Sequence, residues 1–490
     1  MTLTPEMLTA LAPELALFAL AVLVLLMGAV GGVGRVPLTE GSSGPADRRP
    51  AAGWLTLAGL VATFALTFAV PEGTSLLNGS FVQDGLSLFA TRLFLGSAAL
   101  SVLASMTLRQ ASFSRRSAEY HFAVIVSVLG MSVLASAREL ILLFIGFELM
   151  SIPLFLLTGF LKRDAVAPEA ALKFFLVGTA SSAVIVYGMS FVYGVTGSTS
   201  LAGIPAAMAE GHPLMMLGMA FLLAGLGFKI AAFPFHMWAP DTYQAASTPF
   251  VAWLSVAPKA AGFVAIIRLF VEGVGAAALI WMPAVAVLAG MTMVTGNLMA
   301  IPQQNIKRLL AYSGIAHIGY MLVGLAALSS SGVAMMLFYL VAYTFGNMGA
   351  FLVVQAVAQS EQSEGIDAYR GLAQRSPLLA LAMLIFLLSL GGIPFVAGFW
   401  AKLYVFWAAI ERGMYGLVFL GAIVTVVALY YYLLVARRMY IEAPERPEPV
   451  PVPGLLGAAI AVCVIGVVGM GLYPAPWVTL AMRVASTLFS

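Results

Sequence analysis

Gly225-Leu226-Gly227-Phe228-Lys229-Ile230-Ala231-Ala232-Phe233-Pro234-Phe235-His236-Met237-Trp238 sets a lysine inside an apolar run, with a proline five residues later. A charge near the centre of a bilayer costs about 2.5–3.5 kcal/mol on insertion scales. Proline removes a backbone donor and displaces the carbonyl four residues back. The stretch therefore reads as a membrane helix broken at Pro234, whose freed carbonyls and any water they hold can solvate the charge. The same pattern recurs. Glu148 precedes Pro153 by five residues, Lys259 directly follows Pro258, and Lys402 comes eight residues after Pro394.

The rest of the chain fits this reading. It has 490 residues, 61% hydrophobic and 9% charged, with a mean hydropathy of +1.00. A soluble domain would carry about 25% charged residues. Apolar runs of spanning length, about 20 residues each, fall near 8–30, 52–70, 83–107, 119–137, 139–161, 168–194, 213–234, 247–271, 278–301, 306–328, 332–358, 376–411, 413–438 and 453–475. The expected fold is thus an all-α polytopic membrane protein of about fourteen transmembrane helices. Spans seven and twelve are broken, the seventh at Pro234 and the overlong twelfth at Gly391-Gly392-Ile393-Pro394.

Composition also excludes several functions. The net charge of +3 is not gathered into a patch, so nucleic-acid binding has no support. The single cysteine, Cys463, rules out a disulfide framework and any Cys-based iron–sulfur or zinc site on this chain. Gly32-Val33-Gly34 is followed by Arg35-Val36-Pro37, which fails the dinucleotide pattern, and no Walker sequence is present. Any redox cofactor is therefore expected on other chains. Glu6 and Glu14 precede or open the first apolar run, where no Lys or Arg stands. That is the reverse of a cleavable signal, and the first span is expected to be retained.

Basic residues set the expected orientation. Odd-numbered loops hold Arg35, Arg48, Arg49, Arg109, Arg115, Arg116, Lys162, Arg163, Lys307, Arg308, Arg370, Arg375, Arg437, Arg438 and Arg446. Even-numbered loops and the tail hold only Arg138, Arg268, Arg412 and Arg483. Both termini are expected to face outward, away from the cytoplasm. Linkers are expected at 35–50, 359–375 and 441–453, with 235–246 a short interfacial stretch.

Glu148, Lys229, Lys259 and Lys402 point to proton movement. Burial lowers the proton affinity of a lysine and a nearby carboxylate raises it. A lysine whose carboxylate approaches and withdraws would switch between holding and releasing a proton. Moving one charge against 100 mV costs about 2.3 kcal/mol, so the energy must come from elsewhere. His317, with Tyr312, Ser313 and Tyr320 nearby, could extend such a route or be a structural histidine. Plainer readings stand beside these. Lys307 and Arg308 read as interfacial anchors, Lys173 as a snorkelling lysine, and His121 and His212 as surface residues. His236 could join the proton route, or could simply cap or orient the segment after the break. Glu148 and Lys229 could form an ion pair that only fixes helix packing.

Phe228-Lys229-Ile230-Ala231-Ala232-Phe233-Pro234-Phe235-His236-Met237-Trp238-Ala239-Pro240-Asp241, then Ser247-Thr248-Pro249, then Ser255-Val256-Ala257-Pro258-Lys259-Ala260-Ala261-Gly262-Phe263 resemble subunit N of bacterial NADH-quinone oxidoreductase, respiratory complex I. The likeness continues through Tyr369-Arg370-Gly371-Leu372-Ala373, Ser389-Leu390-Gly391-Gly392-Ile393-Pro394 and Ala397-Gly398-Phe399-Trp400-Ala401-Lys402, covering about 119 to 438. The chain departs from the family at Phe395-Val396, where Pro-Thr or Leu-Thr is usual, and at Ala401, where Gly is usual.

The resemblance implies fourteen spans, with two inverted five-helix repeats over spans 4–8 and 9–13. The corresponding divisions are 1–118, 119–272, 278–438 and 439–490. It implies that Glu148 pairs with Lys229, that Lys259 connects, and that Lys402 is nearest the outer exit. NADH, FMN, iron–sulfur clusters and quinone are implied on partner subunits, among them a neighbouring antiporter-like subunit M and small membrane subunits. The implied location is the bacterial inner membrane. Two alternatives stay open: a stand-alone Mrp-type cation/proton antiporter, and a structural membrane-arm subunit that conducts no protons.

Overall fold

Asp84 shows how these spans begin. Its side chain accepts from the Ser87 amide at 2.9 Å while Ser87 Oγ accepts from the Asp84 amide, a reciprocal cap that opens helix Gly85–Ser105. Asn305 caps Ile306–Ala326 and Ser329 caps Ser330–Glu361, each with its own side-chain oxygen. The structure is a computed structural model and describes residues 5–31, 49–108, 113, 116–161, 166–209, 211–273 and 278–489. Arg35, Arg48, Arg109, Arg115, Lys162 and Arg163, with most of the 35–50 linker, lie outside the described residues.

Twelve helices are long and apolar enough to cross a membrane, and Ala51–Leu66 and Pro377–Gly391 are shorter apolar helices. The chain is thus a polytopic helical protein, and each expected apolar run contains helix. The seventh run divides into Pro213–Ile230 and Trp238–Ala245, and the twelfth into Pro377–Gly391 and Ala397–Glu411. The eighth is also interrupted: Thr248–Leu254 ends before Pro258, Ala257–Ile266 follows, and a π-helical turn Ile267–Gly273 closes it.

Three elements depart from the expectation. Thr74–Leu76 and Phe81–Gln83 form a small antiparallel hairpin, pairing Thr74 with Gln83 and Leu76 with Phe81. A last helix, Ala475–Ser486, follows the final span. Arg268, assigned to a loop by its charge, is instead fully buried in the closing turn of span eight. Its guanidinium holds Asp84 through two 2.7 Å bonds and Glu272 at 2.5 Å, and donates to Ala135 O. Paired charge of this kind costs less to bury than a lone charge.

Burial orders the spans. The apolar windows of Thr248–Gly273 and Ile306–Ala326 are wholly buried and that of Ser330–Glu361 nearly so, at 94%. These three make the centre. Large exposed side chains such as Phe18, Leu176, Phe419 and Ile465 lie on peripheral helices, as lipid-facing surfaces require. His121 was expected at the surface but is buried, with Nε2 3.2 Å from Ser105 Oγ. His212 is exposed as expected, and its Nδ1 accepts from the Leu214 amide at the start of Pro213–Ile230.

Candidate functional site

The central helices carry the predicted charges inward. Lys229 is 2% exposed, Lys259 1% and Lys402 4%. Among the described residues none of the three has an ion-pair partner. Each amine is solvated differently.

Lys229 lies in the last turn of Pro213–Ile230, where Ala231 turns the backbone into the left-handed region at φ +61°. Its Nζ donates to Ser151 Oγ at 2.8 Å and stands 5.1 Å from the centre of the Phe147 ring. The expected direct pair with Glu148 is not formed. Glu148 instead accepts a short hydrogen bond from Ser182 Oγ of the neighbouring helix Val166–Thr196. Ser151 is one turn beyond Glu148 on the same face of Leu140–Thr158. Its Oγ donates to Phe147 O within that helix and accepts from the Lys229 amine.

The stem of Lys229 packs toward the next helix. A Cβ at Gly262 would stand 3.5 Å from Lys229 Cγ, and Gly262 is three residues beyond Lys259. Lys259 Nζ lies 5.4 Å from the centre of the Tyr243 ring and has no hydrogen-bond partner among the described residues. Tyr243 OH and Tyr343 OH are likewise buried and unpartnered among them. Position 314 faces both Lys259 Nζ and Tyr343 OH, placing the Ile306–Ala326 helix alongside.

His317 occupies the middle of that helix. Its Nδ1 is 2.8 Å from Tyr339 OH and its Nε2 3.3 Å from Tyr432 OH, which in turn meets Ser313 Oγ. The Tyr343 ring lies 5.1 Å away and the Tyr320 ring 5.9 Å. Lys402 Nζ is 4.7 Å from the centre of the Tyr320 ring. Tyr320 OH accepts from Asn297 and Thr425, and Tyr431 OH donates to Asn297 Oδ1. Tyrosine rings and hydroxyls thus flank His317 on the sides of both Lys259 and Lys402.

Lys402 reaches back across its own break. Its Nζ donates to Leu390 O at 2.9 Å and Gly391 O at 3.3 Å, the open carbonyls ending Pro377–Gly391. The negative end of a helix suits a cation there. Gly392 makes this possible: its φ is +81°, and a Cβ there would stand only 2.9 Å from Lys402 Cδ. Gly398 faces Ser389 O so closely that a Cβ would fall at 1.8 Å, and its amide donates to Ser389 Oγ. Of the departures, Phe395 is 77% exposed with its backbone in the left-handed region at φ +75°, and Ala401 packs inside.

His236 does not join this row. It is buried, stacks on Phe233 with centroids 5.6 Å apart, and its Nδ1 has no partner among the described residues. It does not cap Trp238–Ala245 with its side chain. Lys307, expected as an interfacial anchor, is 2% exposed; its Nζ pairs with Glu364 at 2.6 Å and donates to Ala246 O at 3.0 Å. Lys173 stays exposed, paired with Glu169 at 2.8 Å. Sequence reading missed Ser151, Ser182 and the tyrosines at 243, 339, 343 and 432. Only Ser151 left a signal, its three-residue spacing from Glu148.

The family model for the transmembrane region of NADH:quinone oxidoreductase and Mrp antiporters matches residues 137–428. The chain is 42% identical over 433 residues to NADH-quinone oxidoreductase subunit N of Heliobacterium modesticaldum, covering 88% of this chain and 90% of that one. It is similar to a chain of respiratory complex I from Thermus thermophilus with bound aureothin, at 33% identity and a TM-score of 0.79, covering 96% of this chain and 99% of that one. A chain of the Mrp complex from Dietzia shares the fold at 22% identity and a TM-score of 0.82, covering 99% and 98%.

Proposed function

The chain belongs to the NADH-quinone oxidoreductase subunit N family, and we propose that its buried lysines carry the protons this membrane-arm subunit translocates. The observation that carries the reading is that Lys229, Lys259 and Lys402 are buried without ion-pair partners among the described residues. A buried pair kept only for packing would be closed, because an uncompensated buried charge is costly. Amines set among hydroxyls and carbonyls can instead exchange protons.

In this reading Glu148 and Lys229 form the inner switch. Ser182 donates to Glu148, while the amine donates to Ser151 instead of the carboxylate. Release of Ser182 would let the carboxylate approach Lys229 and favour its protonated form; return would favour release. Lys259 receives the proton, and His317 with its tyrosines passes it to Lys402, from which it leaves. His236 is placed as a positioning residue at the break. The two halves, 119–272 and 278–438, are read as inverted five-helix repeats within fourteen spans.

Energy comes from NADH oxidation and quinone reduction on partner subunits, which hold NADH, FMN, iron–sulfur clusters and quinone. This chain's lone Cys463 is buried and cannot supply a cluster's thiolates. A subunit M and small membrane subunits are the proposed neighbours, in a bacterial inner membrane with both termini outward. Gentle solubilisation and capture of a tagged chain tests the assignment. Companion subunits with NADH–quinone reductase activity are expected. Recovery without redox activity would favour a stand-alone antiporter.

A further inference from the structure

Resting on the proton-translocating reading, we propose that the Lys307–Glu364 ion pair is a gate closing a polar strip that leads from the basic loop face to Lys259. Lys307 opens helix Ile306–Ala326, yet it is turned inward and 2% exposed. Glu364 is 32% exposed on its side chain, so one partner meets solvent and the other does not. The pair is built, not incidental. Ile306 N donates to Glu364 O and Ile366 N to Gln304 O, both at 2.9 Å, clamping the two segments antiparallel. Asn305 Nδ2 adds a bond to the second Glu364 oxygen at 3.3 Å.

What lies behind the pair is the decisive feature. Lys307 Nζ also holds Ala246 O, at the end of the half-helix Trp238–Ala245. On the same stretch of chain the hydroxyls of Ser247, Thr242 and Tyr243 are all buried without a hydrogen-bond partner among the described residues. Tyr243 carries its ring beneath Lys259, whose amine is also unpartnered among them. Buried polar groups are normally satisfied, and a row of unmet hydroxyls is where water is drawn. Lys307 therefore caps a half-helix with its charge, as Lys402 does at the other break, at the end of the segment that carries these hydroxyls.

The charged groups around the pair are few. On the helix's own first turn, Arg308 is committed to Asp241 at 2.7 Å, and Lys173 lies 3.7 Å from the same carboxylate. Tyr369 stands beside Glu364. None of these replaces Glu364 as the partner of Lys307. The step balances as one proton. A hydronium on the loop side gives it to the Glu364 carboxylate and returns to water, and the neutral carboxyl releases Lys307. When the pair re-forms, that proton has passed along the hydroxyls of Ser247, Thr242 and Tyr243 to the Lys259 amine.

Labelling of a Ser247→Cys chain tests this in the assembled complex, in vesicles exposing the loop face to a small cationic methanethiosulfonate. Modification of this chain is read by mass, and the native Cys463 is 0% exposed, so background is low. Glu364→Gln should raise the labelling rate by about tenfold or more, since it leaves the buried Lys307 amine without its counter-charge and loosens the local structure. Lys307→Arg, which keeps the charge and the pair, should leave the slow rate unchanged. Equal labelling with and without Glu364→Gln overturns the gate, as does fast labelling with the pair intact. Proton pumping by a Lys229→Ala complex is measured alongside. If pumping is lost there while labelling ignores Glu364→Gln, the gate alone fails. If Lys229→Ala pumps fully, the parent reading fails and the gate with it.

Discussion

Arg268→Met should separate a buried charge network from a surface one by its cost. Arg268 is 0% exposed and bonds Asp84, Glu272 and Ala135 O. Arg138 touches the same two carboxylates, at 3.2 and 3.3 Å, but its side chain is 39% exposed. Removing one partner of a buried pair costs about 3–5 kcal/mol, a shift of roughly a hundredfold to a few thousandfold in the folded population. Arg138→Met should cost about 0–1 kcal/mol by the measure of exposed pairs. The assay is the fraction of tagged chain that stays monodisperse after heating in mild detergent, for wild type and both variants. Acidity gives a second, signed test. Burial pulls the Asp84 carboxyl upward, but Arg268 and then Arg138 outweigh it and hold it below its ordinary value of 3.8. A depressed carboxylate stabilises the fold above the unfolded value and loses that contribution as pH falls through the folded one. Wild type should therefore be insensitive to Asp84 between neutral pH and about 5, and weaken only below about 4. In Arg268→Met the strongest opposition to burial is gone, so the variant should lose less stability than wild type as pH falls below about 4. A variant that melts with wild type, or that loses as much stability as wild type on the same acidification, would refute the argument.

Gly398→Ala should prevent the second half of span twelve from docking, because its Cβ would fall 1.8 Å from Ser389 O; loss of the chain from assembled complex measures this. Ser151→Ala removes the hydroxyl to which Lys229 donates, a bond worth about 1.5–3 kcal/mol for a charged group. Pumping should slow by about tenfold or more, with assembly retained, as read by proton uptake in vesicles. Lys173→Met, at a 54% exposed side chain, should change stability by less than about 1 kcal/mol and leave pumping intact.

Much of the fold was legible because bilayer-spanning runs and helix breaks leave direct marks. Pro234 and the Gly391–Pro394 stretch located the divided helices to within a few residues. The charges at 229, 259 and 402 stood out against apolar neighbours. Their partners did not. Whether Lys229 meets Glu148 or Ser151 depends on helix rotation and on Ser182 from a third helix, and apolar spans give little periodicity to fix rotation. Tyr243, Tyr339 and Tyr432 come from three separate elements, so no spacing could gather them. Lys307 and Arg268 were misplaced for one reason: charge at a span end suggests water or headgroups. It says nothing of a carboxylate distant in sequence, such as Glu364 or Asp84, that lets the charge turn inward.

The central claim is tested most directly by protons moved per NADH oxidised in assembled complex carrying Lys229→Ala or Lys402→Ala, with Glu148→Ala as a third variant. Lost or reduced pumping in the lysine variants, and a weaker effect of the same sign for Glu148→Ala, is the predicted result. Wild-type pumping in all three would contradict a proton path through these residues.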